Sequence, residues 1–283
     1  MEITSLQKKL IILISICTMI MVSITFSLYR GIMVNPNQLE VQYKTLKSEK
    51  IAKSLNDLSI LYFTDLQYGK FQNKERCDQL FDTIQHLAPD VVIFGGDVYD
   101  TTTKSDEASI ELLSNYFASI DAPFGKFAVL GEKDEEKKEA VAQIFNQSEF
   151  EILQDANVKI SNQNGKAIRL IGLSTKPNYE QALVSTSNKE YNVLVSHYPD
   201  SLTNETLAVA SIDLAIAGHA HSTQITAPIL GGYKEDKHAK KINRNNQNSL
   251  PFPYILSTGT GCTHINARLL ATPEVYYFTL KNN

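Results

Sequence analysis

The chain has 283 residues, 43% of them hydrophobic and 20% charged, with only 13 Gly and 9 Pro, which excludes collagen-like, disordered and low-complexity classes. Its 27 Lys+Arg against 31 Asp+Glu leave a formal charge of -4, so no global basic field draws in nucleic acid by counterion release, and no specific nucleic-acid binding is expected. Three cysteines, Cys17, Cys77 and Cys262, are too few and too scattered for a disulfide framework or a thiolate cage, so any metal must be held by His and carboxylate.

Leu10 to Leu28 runs 19 residues without a charge. A helix of that length reaches about 28 Å, the thickness of a hydrocarbon core. The expected organisation is a cytoplasmic N-terminus at 1–9, a transmembrane anchor at 10–29, a mixed, polar linker at 30–56 carrying one early strand, and a folded domain at 57–283. Lys8 and Lys9 just before the apolar run favour a single-pass cell-membrane protein with its domain extracellular, although Arg30 at the far end weakens the asymmetry. A cleaved signal peptide is the rival reading, but its apolar region is shorter and ends in small residues, whereas this one ends in FSLYRG. A buried helix of a soluble protein fits worse, because a helix apolar on every face has no side to offer water.

Beyond the linker, strands and helices alternate. LSILYF at 58–63 is a short apolar run of buried-strand type, and Cys77, Leu80, Phe81, Ile84 and Leu87 then recur at helical spacing within 74–88. VVIF at 91–94 predicts the next strand, 110–120 a helix with Leu113 and Phe117 on one face, and KFAVL at 126–130 a third strand. DEEKKEAVAQIF reads as one further helix with acids in its first turn. Intervening helices imply parallel pairing. Asn164-Gly165 between VKIS and AIRLIGLS signals a hairpin, and NVLVSH and DLAIAGHAH are two more strand-to-loop exits. The segment 231–248 is a basic surface loop, either a solvated excursion or a wall that attracts an anion.

Metal-capable residues follow almost every apolar strand: Asp65 and Gln67, Asp97 and Asp100, Glu132 and Asp134, His197, and His219 with His221. In an open α/β sheet the carboxyl ends of the strands converge on one crevice, so these scattered residues are expected to meet. Crowded acids and imidazoles need a cation, since mutually repelling carboxylates otherwise raise each other's pKa and protonate. Singly each signal is weak, for an Asp after a strand is more often a cap or turn residue.

In order, the succession D-x-[H], G-D-x-x-D, G-[N]-[H]-[D/E], a single H and then G-H-x-H resembles the signature of the calcineurin-like metallophosphoesterases over residues 57–281. Gly218-His219-Ala220-His221-Ser222-Thr223-Gln224-Ile225 is similar to the G-H-x-H-G-G-Q of their membrane-associated branch. STGTG at 257–261, Arg268 and Pro273-Glu274 are similar to that branch's C-terminal motif. The resemblance implies a four-layer α-β-β-α sandwich of two mixed β-sheets, preceded here by one transmembrane helix. It also implies two divalent metal ions, Mn, Fe or Zn, that activate water for attack on phosphorus. The first ion would take Asp65, Gln67, bridging Asp97 and His221; the second, Asp97, Glu132, His197 and His219.

Three of these positions depart from the pattern. Gln67 stands in place of a histidine, Glu132 in place of an asparagine, and Lys133 in place of the histidine that touches the phosphoryl group. The amide of Gln67 makes the first position harder and weaker, and Glu132 strengthens the second. Lys133 shuttles no proton near neutrality unless neighbouring cations depress its pKa. Asp100 is expected to pair with Lys133 and hold its ammonium as an electrostatic clamp, giving this pair the catalytic roles. The reading is a membrane-anchored phosphoesterase for a phosphodiester, pyrophosphate or phosphomonoester, small or lipid-linked. The alternative is an impaired relative serving as a phosphate-ligand sensor or scaffold; a metal-free adhesion module leaves the convergent residues unexplained. His86 reads as a helix-end residue, His238 as part of the basic loop, His264 as a residue able to line the crevice, and Tyr68 and Tyr99 as packing beside the ligand loops.

Overall fold

A computed structural model describes residues 4–161, 167–227, 231–232, 236–244, 246–247 and 249–283. Its elements, in chain order, are α1 (Ser5–Tyr29), β1 (Glu40–Lys47), β2 (Ser59–Phe63), α2 (Lys74–Leu87), β3 (Val91–Phe94), α3 (Glu107–Ala118), β4 (Lys126–Ala128), α4 (Glu132–Glu136), α5 (Lys138–Gln147) and β5 (Phe150–Ile152). There follow β6 (Ala156–Ser161), β7 (Ala167–Gly172), α6 (Tyr179–Ala182), β8 (Tyr191–Ser196), α7 (Glu205–Ala208), β9 (Leu214–Ala217), the short β10 (Thr226–Ala227) and β11 (Gly231–Gly232), then β12 (Tyr254–Leu256) and β13 (Glu274–Lys281).

Two mixed sheets form, in the order β1-β13-β2-β3-β4-β5 and β12-β9-β8-β7-β6. Strand pleating sends alternate residues to opposite faces, and the sequence is apolar on both. Ile60, Tyr62, Ile93 and Phe127 of the first sheet meet Ile168, Leu170, Val193 and Ile216 of the second in a core between the sheets. Leu61, Phe63, Val92 and Phe94 face outward onto Leu80 of α2, Phe117 of α3 and Phe145 of α5. Ile171, Leu194 and Ala215 face Ala182, Leu207, Ile242 and Phe252 on the far side. The result is the expected α-β-β-α sandwich. Parallel β2-β3-β4-β5 and β7-β8-β9 aim their carboxyl ends at one edge of the sandwich.

Three features complete or differ from the sequence-based expectations. The early strand expected within 30–56 is β1, and it joins the sheet, pairing parallel with β13 over all eight of its residues, from Glu40↔Glu274 to Lys47↔Lys281. The helix expected over DEEKKEAVAQIF is two helices, broken at Lys137 (φ -120°, ψ 35°), whose ammonium is drawn to the Asp100 carbonyl at 2.7 Å and over the Tyr99 ring. In the basic segment 231–248, Ile242 is fully buried and Asp200 accepts the amides of Lys240, Lys241 and Ile242 at 2.8–3.2 Å, so its backbone is docked there while Lys237, Lys240 and Lys241 remain exposed. β6 and β7 pair antiparallel up to Ser161↔Ala167 as a hairpin requires; the Asn164-Gly165 turn lies outside the described residues.

Helix α1 is closed at its start by a reciprocal cap between Thr4 and Gln7, and none of its residues is buried. It is long and apolar enough to cross a membrane, and among the described residues nothing buries it. The outer core is aromatic at its centre: Phe117 lies 5.3–5.9 Å from the rings of Phe63, Phe81, Phe94, Phe145 and Phe150. Phe117→Ala is therefore expected to cost about 3–5 kcal/mol of stability, read from the urea midpoint of the detergent-solubilised chain. A loss under about 1 kcal/mol would show that α3 does not hold the layer together.

Candidate metal centre

The convergent strand ends bring every expected ligand into one crevice. Asp65, Gln67 and Asp97 are fully buried, and His197 and His221 nearly so. The loops that carry them are stitched together by main-chain bonds, Asp65 N to Gly96 O at 2.8 Å, Gln67 N to Asp97 O at 3.1 Å and Gly218 N to His197 O at 3.2 Å. Asp65, Gln67, Asp97, His219 and His221 all adopt left-handed backbone conformations, with φ between 43° and 65°. Each such non-glycine residue costs of order 1–3 kcal/mol, and strain of this kind is held where a side chain must be aimed. Gly131 lets two loops close: a Cβ there would lie 2.8 Å from His197 Nε2.

The orientation of each side chain is set from behind. Thr64 Oγ1 and His219 N donate to Asp65 Oδ2 at 2.9 and 3.0 Å, leaving Oδ1 toward the crevice. Gln67 Nε2 donates to Asp97 Oδ2 at 2.8 Å, which turns its Oε1 outward. His197 Nδ1 lies 2.8 Å from Gly95 O and His219 Nε2 lies 2.7 Å from Lys237 O. A carbonyl oxygen only accepts, so these ring nitrogens carry the hydrogen, and His197 Nε2 and His219 Nδ1 are free to bind. Both lie 3.2 Å from Glu132 Oε2. Ligand atoms of Glu132, His197 and His219 fall within 4.8 Å of one another, as do those of Asp65, Asp97 and His197.

Six expected ligands each leave one buried atom without a hydrogen bond: Asp65 Oδ1, Gln67 Oε1, Glu132 Oε2, His197 Nε2, His219 Nδ1 and His221 Nε2. Buried polar atoms are ordinarily satisfied, and the orphans on Asp65, Gln67, Glu132, His197 and His219, which offer lone pairs, suit a cation. The electrostatics agree. Burial opposes a charge on His197, yet Asp97 and Glu132 drive its pKa well above the ordinary imidazole range. Burial likewise opposes the Glu132 carboxylate, but His197 and His219 hold its pKa far below the usual range. At His221, burial and then the nearby Arg268 guanidinium push the pKa well below its ordinary value.

Lys133 and Asp100 are not brought together. The Lys133 ammonium lies directly on Asp97 Oδ2 and 3.7 Å from Glu132 Oε1. Burial pulls its pKa down, but these two carboxylates outweigh that and hold it above its ordinary value. Asp100 instead closes its own loop: its carboxylate accepts the amides of Lys70 and Thr102 at 2.8 and 2.9 Å, and that of Thr103. The expected Asp100–Lys133 clamp is thereby corrected, because four nearer donors, these three amides and the Thr102 hydroxyl, occupy the Asp100 oxygens.

Residues outside the expected set complete the site. Asp134 accepts Asp97 N, Val98 N and Gly131 N at 2.7–2.9 Å and so fixes the Asp97 loop; burial and the Asp97 charge push its pKa up to about 7 against those three amides. Arg268, fully buried, donates to the Thr258, Gly261 and Ala271 carbonyls and lies 3.2 Å from His221 Nδ1. Its place in the C-terminal motif was the signal available for it. A cavity of about 910 Å³ opens over the ligands, with Lys70, Phe71, Lys237, Lys240 and His264 in its walls. Tyr198 and His238 stack there at 4.1 Å. Tyr99 is buried against Ser109, as packing requires.

With that geometry in place, residues 58–223, more than half of the chain, match the calcineurin-like phosphoesterase family. The chain belongs to that family. It is 26% identical over 257 residues to an uncharacterized metallophosphoesterase of Bacillus subtilis, YkuE, covering 88% of each chain. It is 25% identical over 256 residues to an uncharacterized metallophosphoesterase of Aquifex aeolicus, covering 86% of this chain and 92% of that one. The crystal structure of the calcineurin-like phosphoesterase YfkN from Bacillus subtilis aligns with a TM-score of 0.41 at 14% identity, over 72% of this chain and 81% of that one. Within the family's framework, Asp100 is a loop-closing acid here.

Backbone amides hold the Asp100 carboxyl below its ordinary value even though burial pulls the other way. A carboxyl with a lowered native pKa binds fewer protons folded than unfolded, so it adds stability above its unfolded value near 3.9, and that stability is lost as pH falls below about 4. Urea midpoints of the wild type and Asp100→Asn are expected to differ at pH 6 and to converge toward pH 3. An unchanged gap would show that the Asp100 charge is not what closes the loop.

Proposed function

We propose that this chain is a membrane-anchored, metal-dependent hydrolase of phosphoric esters. The observation that carries the reading is the set of orphaned ligand atoms converging from five strand ends, with the Glu132, His197 and His219 atoms all within 4.8 Å. Imidazole nitrogens and a carboxylate suit a borderline cation such as Mn, Fe or Zn. The expectation of two ions is supported at Glu132, His197 and His219, and less so at Asp65, Gln67 and His221, where Lys133 already lies on Asp97. Glu132, His197, His219 and Asp97 would hold a divalent ion, which would supply Lewis-acid chemistry toward a phosphoryl oxygen and water activation.

The chain's own residues do the rest. His197 and His219 keep their outer N–H groups on main-chain carbonyls, so both rings stay in the binding tautomer. Lys133 holds positive charge where an anionic phosphoryl group gains more charge in the transition state. Lys70, Lys237 and Lys240 in the cavity walls favour entry of an anion, and Phe71 and Tyr198 offer surface to an apolar or aromatic substituent. A phosphodiester or pyrophosphate with such a substituent, small or lipid-linked, fits this lining better than inorganic phosphate. The exposed apolar α1 supports anchoring, and Lys8 and Lys9 in its first turns, just before the uncharged run, support a domain outside the cell. No nucleic-acid or protein partner is proposed.

The test is hydrolysis of a chromogenic phosphodiester by the full chain in detergent with added manganese. Activity is expected to require the ion and to fall in Glu132→Gln by more than the roughly 10–100-fold that losing an outer-shell partner costs. Metal bound without turnover on any phosphoester would favour a sensor or scaffold, the reading that the Lys133–Asp97 contact also admits. For orientation, Tyr43→Cys is expected to react with an impermeant maleimide on intact cells, since Tyr43 is exposed whereas Cys77 and Cys262 are buried. Labelling only after lysis would place the domain inside.

A further inference from the structure

We infer that the crevice holds a single divalent cation, at Glu132, His197, His219 and Asp97, and that the Lys133 ammonium stands in place of a second. The inference deepens the proposed metal dependence and rests on it. Three observations carry it, each made on this chain's own residues.

The first is the tautomer of the third histidine. His197 and His219 are backed by carbonyl oxygens, so each presents a lone pair to the crevice. His221 is backed by Arg268 Nη2 at 3.2 Å, and a guanidinium only donates. His221 Nδ1 therefore accepts, and the neutral ring carries its hydrogen on Nε2, the atom 3.5 Å from Asp65 Oδ1. An imidazole nitrogen bearing hydrogen cannot ligate. The donors on that side reduce to Asp65 Oδ1 and the neutral amide oxygen of Gln67, short of what a borderline cation takes in a protein site.

The second is occupancy of the shared carboxylate. Asp97 Oδ2 is taken by the Lys133 ammonium and by Gln67 Nε2, whereas Asp97 Oδ1 accepts a single hydrogen bond, from the Lys133 amide at 3.2 Å, and keeps a lone pair on the side of His197 Nε2, 3.5 Å away. The carboxylate thus offers one oxygen to a metal on the histidine side and presents a positively charged group on the other. The third is charge. Asp65, Asp97 and Glu132 supply three negative charges, and one dication with one ammonium supplies three positive. A second dication would stand beside Lys133 and the buried Arg268 guanidinium, with no further carboxylate among the described ligands to offset it. Asp134 lies behind Asp97, its oxygens engaged by three amides.

The experiment loads the full detergent-solubilised chain with manganese, removes free metal by gel filtration, and reads metal per chain by elemental analysis and electron paramagnetic resonance. About one ion per chain with the spectrum of an isolated ion is expected. Lys133→Met, close in length and uncharged, frees Asp97 Oδ2 as a third donor beside Asp65 Oδ1 and Gln67 Oε1 and removes the competing charge, so it is expected to raise the content toward two and to broaden the spectrum through coupling between neighbouring ions. Glu132→Gln is expected to lose the single ion. Two coupled ions in the wild type would overturn the inference and leave the metal-dependent reading standing. A content that stays at one in Lys133→Met would overturn the role given to Lys133. No manganese, zinc or iron retained by the wild type would overturn both.

Discussion

Three carboxylates share one crevice, and that single electrostatic constraint organises this protein. Asp65 and Asp97 are fully buried and Glu132 reaches them from the start of α4, so without positive charge their repulsion and desolvation would force protons onto them. Asp65 shows the pressure: burial, with the Asp97 charge adding to it, raises its pKa despite the imidazoles and Lys133 nearby. The chain answers with fixed cations and oriented dipoles. Lys133 lies on Asp97, the amide of Gln67 touches the same oxygen, and His197 and His219 turn toward Glu132. The substitution of a glutamate and a lysine at adjacent positions is coherent in these terms, since the added negative charge and the added positive charge lie within 3.7 Å of each other.

The fold's part is to hold groups that would otherwise separate. Apolar strands buried on both faces form a rigid platform, and the residues just past their ends inherit its precision. Strained backbone conformations at five ligand positions are stable only because main-chain bonds between loops over-determine them. Asp134 is central to that. One carboxylate gathers three amides from two loops, trading an exposed side chain for a fixed geometry at Asp97. The apolar layers contribute stability, and the polar loops concentrate its cost where chemistry is done.

Much of this was legible in the residues themselves. The buried strands β2, β3, β8 and β9 announce themselves as short β-branched runs, and the polar residue after each is the candidate ligand. What was not legible came from contacts distant in sequence. β1 was legible as an early strand but its partner was not, because it carries mixed polar residues and shows much of its sides to solvent, and only the distant β13 ties it into the sheet. The break between α4 and α5 arises because Lys137 reaches back to Asp100 and Tyr99, overriding a sequence that is helical by local preference. The destination of Asp100 had a local sign, since Thr-Thr after an aspartate invites its carboxylate onto the following amides. Charge complementarity pointed Lys133 to Asp100; the nearer amides and the deeper Asp97 carboxylate decide otherwise.

Arg268 joins the two ends of the molecule's design. Its side chain sits behind His221 and determines which ring nitrogen faces the crevice. Its backbone receives the segment that leaves α1: Arg268 N donates to Gly31 O at 2.8 Å, and Asn35 Nδ2 donates to Arg268 O at 2.9 Å. An exposed apolar helix of 25 residues is a lever, and a lever needs a fixed foot. Here the foot rests on the same residue that orders one wall of the metal centre. The crevice and the helix are therefore held in register by local hydrogen bonds, and the distance from the foot of α1 to the site is set by the fold, not by a slack tether.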